Sequence, residues 1–408
     1  MRKIENMKFS SLVNRIAGEG VDAWHIHSAA LAAAERGQDV IVLSVGDPDF
    51  ATPEAITEAA VRALRAGDTH YTVIPGREAL RTAIARQHVE RCGQLVTAEN
   101  VIVTSGAQNA LYSVTQCLCE TGDEVLVPEP MYLTYEASIR ASSATLVPVP
   151  VDADNNFRID LAALQAAITP RTRAIYLATP CNPTGVVMRL EELQAIAKLA
   201  QAHDLWVVSD EVYAELTFEQ PHISIAALPG MAERTVTISS LSKSHAMAGW
   251  RLGWAVGPVA LIDHMANLLL CMLYGIPGFV QEAALEAIAQ RGVVVPAMRA
   301  EYRKRRDIAF KLLSDVPGLH CRLAEAGMFM LVDIRDTGLS ANDFTWGLFR
   351  QTGVSVLDAQ AFGPTARGFL RLGFVVGEER LTEACQRIAS YVNTVMQARE
   401  NLAVRVEA

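Results

Sequence analysis

Between residues 97 and 260, short β-branched runs alternate with segments of helical period. No other feature of the chain limits its fold so strongly. Strands are expected at 101–104, 124–127, 145–148, 174–178, 206–209, 235–239 and 253–256. Helical patterns fall between them at 107–119, 133–141, 161–168 and 190–203. Strands separated by helices line up mainly parallel, with helices covering both faces. The expected class is therefore α/β: a mainly parallel mixed sheet sandwiched by helices.

The flanks read differently. Residues 10–36 have the pattern of one long amphipathic helix and 294–315 that of another. A strand at 328–334, a helix at 342–351, strands near 354–357 and 370–374 and a last helix from Glu378 follow. A chain of 408 residues exceeds what one core usually organises. Two domains are expected: a large one over 48–289, and a smaller α+β one from 1–47 and 290–408.

A net charge of −9 disfavours nucleic acid as a partner, because phosphate backbones call for a basic face. The basic run Arg303 to Arg306 lies in a helical pattern and reads as a solvated helix face. Seven scattered cysteines match no disulfide framework, and no His/Cys/Asp cluster has metal spacing. Cys117 and Cys119 fall in a helical period and read as small packing residues. The start, Met-Arg-Lys-Ile-Glu, carries no apolar stretch of signal type. The most apolar run, 266–280, is interrupted by Gly275, Pro277 and Gly278 and is too short to span a bilayer. A cytoplasmic protein acting on small molecules is the expectation, with no membrane or metal.

Four clusters at strand ends carry unusual polar residues. Lys243, in Ser239-Ser240-Leu241-Ser242-Lys243-Ser244, is flanked by hydroxyls directly after a strand. That suits an amine that forms an imine beside a phosphate site, although an exposed loop lysine reads equally well. Arg251, bracketed by Gly249, Trp250 and Gly253, suits an anion clamp. Asp210, in Ser209-Asp210-Glu211-Val212-Tyr213, is either an N-cap or a carboxylate facing the crevice. Buried there it would need a cation, and a protonated pyridine nitrogen is one. The loop Thr179-Pro180-Cys181-Asn182-Pro183-Thr184-Gly185 is an ordinary turn or a rigid mount for Asn182. The turn Thr104 to Ala110 opens a helix, whose unpaired N–H groups can cradle a phosphate.

Together and in this order, the clusters resemble the class I/II aminotransferases of the fold-type-I pyridoxal-phosphate superfamily. The resemblance runs from Gly46-Asp47-Pro48-Asp49-Phe50 through Tyr71 and Gly76 to Arg371 in Phe369-Leu370-Arg371-Leu372-Gly373. It implies a transfer of an amino group from an L-amino acid to a 2-oxo acid, with pyridoxal 5'-phosphate as cofactor. Lys243 would hold the cofactor covalently and shuttle the proton, and Asp210 would pair with the ring nitrogen. Tyr213 and Asn182 would hold the phenolic oxygen, and Tyr132 would stack on the ring. Ser105, Gly106, Ala107, Ser240, Ser242 and Arg251 would surround the phosphate. Arg371 and Asn182, with the Gly46 backbone beside them, would grip the substrate carboxylate. The resemblance also implies a homodimer with shared sites, Tyr71 and the stretch around Tyr274 completing the other subunit's site.

Within the family, Gln108 stands where prokaryotic aspartate aminotransferases often carry a lysine for the distal carboxylate. The wording around Glu129–Tyr132, Ser242–Met247 and Cys271–Gly275 resembles bacterial enzymes that pair arginine with pyruvate in arginine catabolism. A guanidinium would call for an acidic partner, for which Asp22, Asp47, Asp49 and Glu282 are candidates. The alternatives are an aspartate or broad-specificity aromatic aminotransferase, a carbon–sulfur lyase, or a decarboxylase on the same scaffold. A regulator with an aminotransferase-like domain would need a DNA-binding module, and only about 45 residues precede Gly46. His245 reads as a helix-start residue rather than a second base.

Overall fold

The structure, a computed structural model, describes residues 8–17 and 24–407. In chain order its helices are α1 (Leu12–Arg15), α2 (Trp24–Glu35), α3 (Glu54–Arg65), α4 (Glu78–Cys92), α5 (Gly106–Leu118), α6 (Thr134–Ala141) and α7 (Leu161–Ala166). They continue as α8 (Leu190–Ala202), α9 (Val259–Met272), α10 (Gly278–Ala289), α11 (Arg291–Leu313), α12 (Ala341–Thr352) and α13 (Glu378–Glu407). Strands β1 (Ile41–Val42), β2 (Val101–Thr104), β3 (Glu124–Glu129), β4 (Thr145–Pro150), β5 (Thr172–Ala178), β6 (Trp206–Asp210), β7 (Thr235–Ser240) and β8 (Gly253–Val256) come first. The last five are β9 (His320–Cys321), β10 (Phe329–Asp333), β11 (Val354–Ser355), β12 (Leu357–Asp358) and β13 (Phe369–Gly373).

Seven strands form the large sheet in the order β2-β8-β7-β6-β5-β3-β4. All seven point the same way except β8, which runs antiparallel to β2 and β7. Helices cover both faces because the inner strands, β3 and β5 among them, bury apolar side chains on both. Val125 and Val127 of β3, with Ala174 and Tyr176 of β5, enter the cluster shared with α5 and α9. Leu126, Ile175 and Leu177 enter the opposite one, shared with α8. Each of the valine, leucine and isoleucine side chains contributes about 1.5–3 kcal/mol of burial. A second, antiparallel sheet runs β12-β13-β10-β9, and β1 pairs in parallel with β11. The chain is α/β, as the alternation implied.

Some expectations are corrected. The helix expected over 10–36 is not continuous: α1 ends at Arg15, Ile16 and Ala17 are non-helical, and α2 begins at Trp24. The intervening sequence carries Gly18 and Gly20, each costing helix about 1 kcal/mol relative to alanine. The strand expected near 354–357 is divided into β11 and β12, which belong to different sheets. Cys119 caps α5 rather than continuing it. The apolar run 266–280 spans the end of α9 and the start of α10, and no helix among the described residues is long and apolar enough to cross a membrane.

The basic run is not a uniformly solvated face. Arg305 and Arg306 are only 3% and 2% exposed. Arg305 pairs with Asp49 at 2.7 Å and Glu301 at 2.9 Å; Arg306 pairs with Glu219 and Asp307, each at 2.7 Å. Their guanidinium groups lie 4.6 Å from the ring centres of Phe50 and Phe218 respectively. Buried arginines are tolerable only with such partners, and four of the six lie outside the helix.

Candidate active site

Parallel pairing brings the carboxyl ends of β5, β6 and β7 to one edge, with Ala178 beside Asp210 and Asp210 beside Ile238. At that edge lies a cavity of about 210 Å³, walled by Asn182, Asp210, Lys243 and Arg251 from the large-sheet side. Gly46 and Arg371, the latter from β13 of the smaller sheet, close it from the other side. A crevice at strand carboxyl ends is where α/β sheets bind ligands.

Asp210 ends β6 in the cavity wall. Tyr135 donates its hydroxyl to Asp210 Oδ2 at 2.7 Å, and the Val212 amide donates to Oδ1 at 3.2 Å. Burial outweighs both donors and pushes the carboxyl up to about 6. A cation placed against it would reverse that shift. Lys243 follows β7, and its Nζ donates to the Gly46 carbonyl at 2.5 Å. Burial lowers its pKa to about 8, helped by Arg371 and Arg251 and opposed by Asp47. The neutral, nucleophilic amine is thereby more accessible near neutrality.

Arg371 is 4% exposed, and burial lowers its pKa to about 10. Its Nη1 donates to Asn182 Oδ1 at 3.1 Å and its Nη2 to the Ser44 carbonyl at 2.9 Å. Because a guanidinium only donates, the first of these bonds orients the Asn182 amide with its oxygen toward the arginine. Phe329 and Phe362 flank the guanidinium at 5.3 and 4.9 Å. Among the described residues its Nε is buried without a partner, so this cation retains a donor for an anion.

The other end of the cavity suits a phosphate-bearing group. Gly106 opens α5 at φ +76, and a Cβ there would lie 2.5 Å from Arg251 Nη2. A Cβ on Gly253 would come within 2.5 Å of the Ala107 amide nitrogen. The two glycines thus let a guanidinium and a helix N-terminus crowd one spot, and Ser240 and Ser242 line the same cavity.

Most of the residues anticipated from the sequence meet here: Gly46, Ala107, Tyr132, Asn182, Asp210, Tyr213, Ser240, Ser242, Lys243, Arg251 and Arg371 all line the cavity. Ser105 and Gly106 form the adjoining turn, where the Ser105 amide donates to Asn109 Oδ1 at 3.2 Å. Tyr71 does not reach this cavity. It is 85% exposed and packs edge-on against Tyr274 at 4.8 Å. His245 is fully buried, contacts Ser244 Oγ at 2.8 Å, and is pushed down to about 4 by burial. Among the acidic candidates, Asp49 is paired with Arg305, Glu282 is paired with Arg77 at 2.6 Å, and Asp47 is exposed. Asp22 lies outside the described residues.

Two residues of the site were not read from the sequence. Tyr135 is the hydroxyl partner of Asp210, and Trp24 stands in the cavity wall. Tyr135 lies in the first turn of α6, three residues after Tyr132, and its ring packs edge-on against Tyr132 at 5.7 Å, a contact that spacing alone did not reveal; Trp24 had no signal.

The strand end is braced from behind. Glu211 is fully buried and pairs with Arg91 at 2.6 Å; Ser224 and Ser209 donate to its Oε1 at 2.6 and 3.1 Å. His222 and Arg91 lead the interactions that, against burial, hold its carboxyl far below the ordinary range. That stabilisation is present above the unfolded value of 4.5 and is lost as pH falls toward the depressed folded value. Arg91→Met is expected to cost roughly 3–5 kcal/mol, because it leaves a buried charge short of its partner. Urea unfolding at neutral pH measures it, and an unchanged midpoint would refute it.

Comparison with known proteins agrees with this geometry. The family model "Aminotransferase class I and II" matches residues 38–388. The chain is 54% identical over 383 residues to an arginine–pyruvate transaminase of Pseudomonas aeruginosa, covering 94% of this chain and 98% of that one. It is 36% identical to an aspartate aminotransferase of Musicola paradisiaca, covering 88% and 90%. The solved aspartate aminotransferase from Thermus thermophilus with maleate superposes with a TM-score of 0.90 at 33% identity, over 94% of this chain and 100% of that one.

Proposed function

The chain belongs to the class I and II aminotransferases, and from that premise we propose that it holds pyridoxal 5'-phosphate on Lys243 and moves the amino group of L-arginine to pyruvate. The observation that carries the substrate reading is the 54% identity to an arginine–pyruvate transaminase over nearly the whole of both chains. The neutral Gln108 supports it. Its Oε1 accepts from Thr134 at 2.5 Å and its Nε2 donates to Ser138 at 3.1 Å, so no cation stands there for a distal carboxylate.

Bound in this cavity, pyridoxal phosphate would supply an aldehyde for the amino group and a ring that takes up the electrons left when the α-hydrogen departs. The side chains divide the remaining work. Arg371 and Asn182, beside the Gly46 backbone, anchor the substrate carboxylate. Lys243 Nζ would take the proton from the substrate α-carbon and hold it. Asp210, oriented by Tyr135, keeps a proton on the ring nitrogen. Tyr213 and Asn182 would hold the phenolic oxygen, and Tyr132 would cover the ring face. Ser105, Gly106, Ala107, Ser240, Ser242 and Arg251 hold the phosphate.

Tyr71 is assigned to the site of a second subunit, which its exposure beside Tyr274 supports. A homodimer acting in the cytoplasm goes with this reading. So does a division of the chain into a large domain, 48–289, and a small one from 1–47 and 290–408.

The test is a pair of half-reactions followed through the cofactor's absorbance. L-Arginine should convert the cofactor to its amine form in a single turnover, and pyruvate should restore it. If aspartate reacts far faster than arginine, the enzyme is an aspartate transaminase.

A further inference from the structure

If arginine is the donor, its guanidinium must be received somewhere, and among the described residues the cavity wall offers no spare carboxylate. Among the described residues, Asp210 is the only acidic residue in its wall. It already accepts from Tyr135 and Val212 and is committed to the ring nitrogen. The groups on the large-sheet side are likewise committed to the cofactor. What remains of the wall is mainly Trp24, Val45, Leu133 and the neutral Gln108.

We propose that Trp24 determines specificity for a cationic donor side chain, its indole face receiving the guanidinium. This deepens the arginine reading above and rests on it. Tryptophan is the best aromatic acceptor of a cation, and a planar guanidinium also stacks on its ring.

The structure fixes the ring in relation to the carboxylate anchor. His27 packs edge-on against Trp24 with ring centres 5.7 Å apart and planes at 74°. His27 Nδ1 meets Ser44 Oγ at 3.0 Å, and the Ser44 carbonyl accepts from Arg371 Nη2 at 2.9 Å. One turn of α2 further on the same side, Ala30 is buried, as is Ile26, which joins the cluster of Leu357, Phe362 and Phe369. Phe362 in turn flanks Arg371. Thus the residue proposed to read the side chain and the residue that grips the carboxylate share one support. Burial and Arg371 lower the pKa of His27, which keeps it neutral near pH 7 and adds no positive charge beside an incoming guanidinium.

The experiment compares L-arginine, L-citrulline and L-alanine as donors in single-turnover half-reactions of the holoenzyme. Citrulline has the shape of arginine without its charge, so the arginine-to-citrulline ratio reports recognition of the cation. Wild type should favour arginine, and Trp24→Leu should lower that ratio about tenfold, in line with a cation–π contact of roughly 1–2 kcal/mol. Trp24→Phe, which keeps an aromatic face and much of the packing, should retain most of the preference. If wild type does not prefer arginine over citrulline, the arginine reading falls and this inference with it. If wild type does, but Trp24→Leu slows all three donors alike, the arginine reading stands and the assignment to Trp24 is overturned. Should Trp24→Leu fail to fold, a ratio in Trp24→Phe that falls as far as expected for leucine overturns it as well.

Discussion

The enzyme with Lys243 replaced by alanine is expected to show no measurable overall transamination. The amine is the group proposed to carry a proton to and from the α-carbon, and that share alone is worth about 10²–10⁴-fold. Loss of covalent attachment removes more. Two features make Lys243 the candidate. It lines the same cavity as Asp210 and Arg371, and burial lowers its pKa to about 8, so neutral amine is available near neutral pH. Borohydride reduction of the wild-type holoenzyme followed by peptide mapping should place a pyridoxyl group on Lys243. A label on another lysine would sink the assignment.

Asp210→Ala should still bind the cofactor through the Arg251 and Gly106 cradle, yet turn over roughly 10²–10³-fold more slowly, by analogy with the loss of one preorganised electrostatic contact. The carboxylate sits in a cavity wall where burial raises its own pKa to about 6, a cost that a cation on the ring would offset. Tyr135 holds Oδ2 and the Val212 amide holds Oδ1, so its orientation is set before any ligand arrives. The measurement is kcat beside cofactor affinity. Near-normal kcat would place the essential carboxylate elsewhere, whereas loss of cofactor affinity with unchanged kcat would make Asp210 a binding group only.

The sequence by itself determined the class of fold and most of one site. β2 and β8 lie where their short, mostly apolar runs put them, because a strand buried on both faces has few polar positions, and that pattern is local. The clusters around Asn182, Asp210 and Lys243 were visible for a related reason. Each follows a strand, and parallel strands deliver their carboxyl ends to one edge whatever their spacing in the chain.

The tertiary structure decided whatever depends on distant partners. Periodicity marks 303–306 as helix, yet cannot show that Asp49 and Glu219 come to meet Arg305 and Arg306 and allow their burial. It cannot place Trp24 in the same cavity as the distant Arg371, or show that Ser44 meets both Arg371 and the His27 that packs on Trp24. Nor does it show that the phenol of Tyr135 closes on Asp210. A local pattern records which face of an element is apolar. Which charge meets which is set only when two sheets and their helices close on each other, because a buried charge is stable only where its partner arrives.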